Sequence, residues 1–147
     1  LDLQRSIFAD ILSTCTTIGG KVLSVHSTRA ATQVLDMLDK LFRDPTGVVV
    51  LHWFTGGVSA TKRALDMGCY FSVNAAMART PHGRKLISTI PQTRLLTETD
   101  GPFLKTDADE DQREVLERLL GSVSEIRRED SDQLRSAVFA NLERLWQ

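Results

Sequence analysis

Several things are scarce in this sequence, and each scarcity excludes something. There is almost no charge imbalance: 18 Lys and Arg stand against 19 Asp and Glu, a formal net charge of -1. Bulk charge therefore does not make the chain a non-specific polyanion binder, and any nucleic-acid contact must come from a local site. There are only two cysteines, Cys15 and Cys69, far apart and in no metal-ligand spacing. They read as small buried hydrophobes in a reducing cytosol. No apolar run reaches the length of a membrane span, so no membrane partner is expected. The opening stretch, LDLQRSIFAD, has no initiator Met, no basic start and no apolar core segment. It is not a secretory signal. It reads as the middle of a helix, from which a partial chain is expected. Histidine is scarce too, with three in the chain: His26, His52 and His82.

What is present is a regular alternation. With 147 residues, the chain is long enough for one domain with a real core. Helical spacing runs from Leu3 to Ile18, stopped by Gly19 and Gly20. Lys21–Ser27 is a β-branched run and predicts a strand. Ala30–Arg43 is helical again, and Asp44-Pro45-Thr46-Gly47 is a turn. Val48–Phe54 is continuously apolar, as a strand buried on both faces should be. A helix over Val58–Met67, a strand over Cys69–Asn74 and a helix opened by Thr80-Pro81 follow. Arg94–Asp100 is a fourth strand, broken by Gly101-Pro102. Helices over Asp107–Leu120, ended by Gly121, and over Asp132–Trp146 complete the chain. The order predicts parallel β/α units in one partial domain spanning residues 1–147. This is either half of a TIM-type (β/α)8 barrel or a four-stranded open α/β sheet.

The functional signal is positional. Each predicted strand finishes in polar residues: His26, His52, then Ser72 with Asn74, then Glu98 with Asp100. Side chains alternate across a strand, so these groups converge on one face at the carboxyl end of the sheet. Ligands bind there in parallel α/β folds. One such histidine alone would read as a packed side chain. Two histidines and a carboxylate at equivalent positions read as ligands for a divalent metal: His26, His52 and Asp100. Glu98 and Asn74 are candidates to line the pocket, as is Ser72. Arg29, at the mouth, is a candidate phosphate contact. His82 reads as a surface residue, Trp53 and Phe54 as core or rim packing, and Thr55-Gly56-Gly57 as a tight loop.

The segments VLSVHSTRAA, VLHWFTGG, GCYFSVNAAM and LLTETDGPF, with NLERL in the last helix, resemble the TatD-type metal-dependent deoxyribonucleases in order and spacing. The stretches IGGKVLSVHS, LHWFTGG and GCYFSVNAAM are most similar to the branch found in bacterial Qat anti-phage defence systems. The resemblance implies the last four strands and associated helices of a (β/α)8 barrel, acting on DNA by metal-dependent phosphodiester hydrolysis. It implies His26 and His52 as ligands of a two-metal site. It implies Asp100 as both a ligand and the catalytic group that orients or deprotonates the attacking water. The metals would be Mg2+, Mn2+ or Zn2+. Implied partners are DNA, other defence-system proteins or an N-terminal half, and a second copy paired through open sheet edges. The sequence departs from the family pattern in two ways. A first-strand His-x-His pair and a bridging Glu are not in this chain, and Thr28 stands where the family has Arg, with Arg29 one position later. A related hydrolase of a non-nucleic substrate and a non-catalytic interaction module are the competing expectations.

Overall fold

In a computed structural model, residues 2–43, 45–101 and 111–146 are described. The elements run α1 (Asp2–Ile18), β1 (Val22–His26), α2 (Ala31–Leu41), β2 (Val48–His52), α3 (Val58–Asp66) and β3 (Tyr70–Val73). Then come a short α4 (Ala75–Ala78), α5 (Pro81–Thr89), a 3-10 turn over Gln92–Arg94, β4 (Leu95–Thr97), α6 (Gln112–Arg127) and α7 (Ser131–Arg144). The four strands form one parallel sheet in chain order.

Alternation divides the strand side chains between two faces. Val25, Val49, Leu51, Phe71, Val73 and Leu95 point to one face and meet buried residues of the helices, among them Leu12, Leu35, Leu38, Ile87, Val123 and Leu134. The opposite face carries a small cluster of Val50, Tyr70 and Leu96, closed by Leu145. The helices thus lie on one side of the sheet. A doubly wound open sheet has helices on both faces, whereas a barrel segment has them only outside. The open-sheet alternative does not hold.

Four local expectations need correction. The second strand stops at His52 rather than Phe54, because Trp53 takes φ +42 and turns the chain. The last strand is shorter than expected, so Glu98 and Asp100 lie just beyond it. The Glu98 N–H still donates to the Val73 carbonyl at 2.9 Å. The helix expected to end at Gly121 continues to Arg127, and its cap is Arg128 at φ +55. Continuing the helix brings Val123 fully into the core, which outweighs the roughly 1 kcal/mol a helical glycine costs. The expected start of that helix at Asp107, like Asp44 of the first turn, lies outside the described residues. Finally, α4 was hidden in the sequence: Asn74 caps it by accepting from Met77 N–H at 3.1 Å.

Candidate active site at the strand ends

Register sets the site. His26 lies opposite His52, and His52 opposite Ser72. Both histidines end their strands on the lightly covered face, and their ring centroids are 5.3 Å apart. His26 is exposed and bonds the Thr28 hydroxyl through Nε2. Trp53 meets the same ring edge-on at 6.2 Å.

His52 is held from both sides. Its Nδ1 is 2.6 Å from Glu98 Oε2, and its Nε2 is 2.9 Å from Asp100 Oδ1. A neutral imidazole carries one N–H and can donate to only one of two carboxylates. The second contact calls for a further proton, on the ring or on a carboxyl, or for a bound cation. Glu98 also accepts from the Ser72 hydroxyl and, at 3.0 Å, from Asn74 Nδ2. Burial pushes the Glu98 carboxyl above its ordinary range, opposed by the bonds from Ser72, His52 and Asn74.

Backbone strain gathers at the same end. Arg29, Trp53 and Asp100 have φ of +53, +42 and +53, each in the turn that leaves a strand end. Left-handed φ costs a non-glycine residue about 1–3 kcal/mol, and such costs concentrate at functional sites.

The structure brings His52, Asp100, Glu98, Ser72 and Asn74 into one hydrogen-bonded cluster with His26 beside it. Asn74 is fully buried, so it meets the site through Glu98. Arg29 is exposed and lines a cavity of about 550 Å3 together with His26. His82 is exposed on α5, and Phe54 is buried against Phe71. A Cβ on Gly56 would sit 2.3 Å from the Phe54 ring. Sequence reasoning passed over Ser27, which is buried next to His26 and whose hydroxyl has no hydrogen-bond partner among the described residues. It also passed over Thr28 as a contact of His26; a hydroxyl two residues after a strand-end histidine was the available signal.

The donor set suits a divalent metal in kind, because imidazole and carboxylate are ligands for such ions. It falls short in number: among the described residues, no group of three His, Cys, Asp or Glu is placed to hold a metal ion. Also among the described residues, no helix is long and apolar enough to cross a membrane.

Comparison with known proteins places this site in context. The profile of the TatD related DNase family matches residues 1–147. The chain is similar to the "3'-5' ssDNA/RNA exonuclease TatD" of Citrobacter rodentium, 31% identical over 132 residues, covering 83% of this chain and 50% of the relative. It is similar also to an uncharacterized metal-dependent hydrolase, YabD of Bacillus subtilis, 26% identical over 107 residues, covering 70% of this chain and 40% of the relative. Among solved structures, a TatD homolog from Escherichia coli superposes with a TM-score of 0.69 at 25% identity, over 84% of this chain and 49% of that one. The chain thus spans about half the length of the curated relatives it matches.

Proposed function

Since the chain belongs to the TatD related DNase family, we propose that it carries the His26, His52 and Asp100 side of a divalent-metal site that hydrolyses DNA phosphodiester bonds. The observation that carries this is His52, gripped between Glu98 and Asp100 with His26 5.3 Å away. His26, His52 and Asp100 would hold Mg2+, Mn2+ or Zn2+, and the remaining donors would come from outside the described residues. Once bound, such an ion polarises the phosphoryl oxygen and lowers the pKa of a coordinated water.

The chain's own residues have separable tasks. Glu98 fixes the His52 ring by taking Nδ1–H, which leaves Nε2 free to ligate. Asp100 faces Nε2 and orients or deprotonates the attacking water. Asn74 and Ser72 hold Glu98 in place, so Asn74 serves the substrate pocket indirectly. Arg29, exposed at the mouth, pairs with a phosphate oxygen.

The unit would be the last four strands and associated helices of a TIM-type barrel. Free thiols at Cys15 and Cys69 support a reducing, cytoplasmic setting. Sequence likeness to the Qat branch supports a place in anti-phage defence. A second reading, a non-catalytic module that binds defence-system proteins, draws on the incomplete donor set.

Digestion of single-stranded and duplex DNA by the whole protein, with each metal added in turn, separates the two. Cleavage should fall at least 100-fold in His52→Ala and in Asp100→Asn, in line with loss of a metal-site group. Absence of cleavage with every metal, or cleavage undiminished in both variants, refutes the hydrolase.

A further inference from the structure

Beside the candidate metal ligands lies a cavity that shares His26 and Arg29 with the hydrolytic site but whose other polar groups that site does not use. It measures about 550 Å3 and is walled largely by apolar surface; its polar lining includes Arg5 of α1, His26 at the end of β1, Ser27, Thr28 and Arg29 after it, and Gln33 in the first turn of α2. Among the described residues, none that lines it is acidic. The first turn of α2 points its free N–H groups outward, as every helix start does. Here Ala30 is the cap residue, which offers that turn no side-chain acceptor. The turn also contains no acidic residue to satisfy the helix dipole. Arg5 and Arg29 are both exposed.

An independent observation points to a ligand. Ser27 is only 1% exposed, yet among the described residues its hydroxyl has no hydrogen-bond partner. A buried hydroxyl left unpaired costs about 1–3 kcal/mol. In a cavity flanked by two guanidinium groups and a helix N-terminus, an oxyanion would end that cost.

The geometry points to a phosphate-binding subsite, formed by the Ser27 hydroxyl, the first-turn amides of α2, Arg5 and Arg29. It takes a phosphate of the DNA strand next to the one being cut. This inference rests on the hydrolase reading above, because only a strand presents a second phosphate beside His26. A helix N-terminus with arginines is well suited to that anion.

The test keeps metal chemistry out. Inorganic phosphate is titrated into isotopically labelled protein in the presence of a chelator, and the amides of Ala31, Thr32 and Gln33 are followed by NMR. Those amides should shift saturably. Arg5→Gln and Ser27→Ala should each weaken binding about tenfold. Arg5 is exposed, so its replacement leaves the core intact. A short single-stranded oligonucleotide should displace the phosphate. Silent amides, or binding that both variants leave unchanged, overturn the subsite. Phosphate that the oligonucleotide fails to displace also overturns it, because the site then serves free anion. Cleavage is assayed in parallel. Displaceable phosphate binding without cleavage upholds the subsite while the hydrolase reading fails; cleavage with silent amides does the reverse.

Discussion

Replacing Glu98 with glutamine asks whether that carboxylate positions His52 or merely packs beneath it. Three donors converge on Glu98: Asn74 Nδ2 on one oxygen at 3.0 Å, and the Ser72 hydroxyl and His52 Nδ1, the latter at 2.6 Å, on the other. Glutamine keeps the shape but offers a single acceptor oxygen. Turned to serve Ser72 and His52, it sets its amide against Asn74 and loses one bond. Turned the other way, it keeps Asn74 and can donate to the Ser72 hydroxyl, but it sets its amide against His52 Nδ1–H. Either pose leaves one buried donor unpaired, a loss of about 1–3 kcal/mol in stability. The effect on metal binding is separate. A carboxylate on Nδ1–H orients a ligating imidazole and makes it more basic, and removing such a partner typically weakens metal binding 10–100-fold. Urea unfolding reads the first quantity, and calorimetric titration with Mn2+ or Zn2+ reads the second. Ser72→Ala serves as the control: it takes one bond from Glu98 without touching His52, so metal affinity should change less than threefold while stability falls by about 1 kcal/mol. If Glu98→Gln binds metal as tightly as the native protein and only stability suffers, Glu98 is a packed acid and the positioning argument fails.

Other outcomes follow from features away from the ligands. Asn141 is fully buried in α7 and donates to the Gln92 and Leu95 carbonyls at 2.7 and 2.8 Å. Asn141→Leu strands both, and should cost about 2–4 kcal/mol by denaturant titration. A Cβ on Gly83 would sit 2.2 Å from the Met77 carbonyl oxygen. Gly83→Ala should therefore destabilise by about 1–3 kcal/mol, and an unchanged melting curve would show that α4 and α5 are less tightly joined than described. Burial pushes the Cys69 thiol from 9.0 up to about 11. A folded pKa raised in this way stabilises the protein fully below the unfolded value and is lost as pH rises through the folded one. Stability should fall by up to about 3 kcal/mol between pH 9 and 11, a loss that Cys69→Ala should abolish.

Much of this architecture was legible because parallel sheets write themselves plainly. Apolar strands separated by amphipathic helices gave the four strands. Alternation within them placed His26 and His52 on one face at equal height, as the in-register pairing has them. What stayed hidden depends on contacts that no periodicity encodes. Asn74 reads as a strand-end polar group, and nothing local announces that it caps a four-residue helix while bracing Glu98. Trp53 is bulky and has no preference for left-handed backbone; the turn around it imposes that conformation and shortens β2. Gly121 carries a stop signal that the burial of Val123 overrides. Ser27 closes the strand expected over Lys21–Ser27 but falls just outside β1, and that its hydroxyl lacks a partner among the described residues shows only in three dimensions.

The grip of α7 on β4 bears on the order in which a ribosome delivers this chain. Each strand pairs with the one made just before it, so β1 to β3 can assemble as they emerge. The stretch bearing Glu98 and Asp100 follows a strand of three residues, Leu95–Thr97. That strand's first carbonyl is tied to Asn141, and Leu96 is covered by Leu145. Both clamps are synthesised more than forty residues after the strand they secure. Until they arrive, the two histidines wait on a formed sheet for carboxylates that are not yet anchored, and the acidic side of the centre matures only once α7 has emerged.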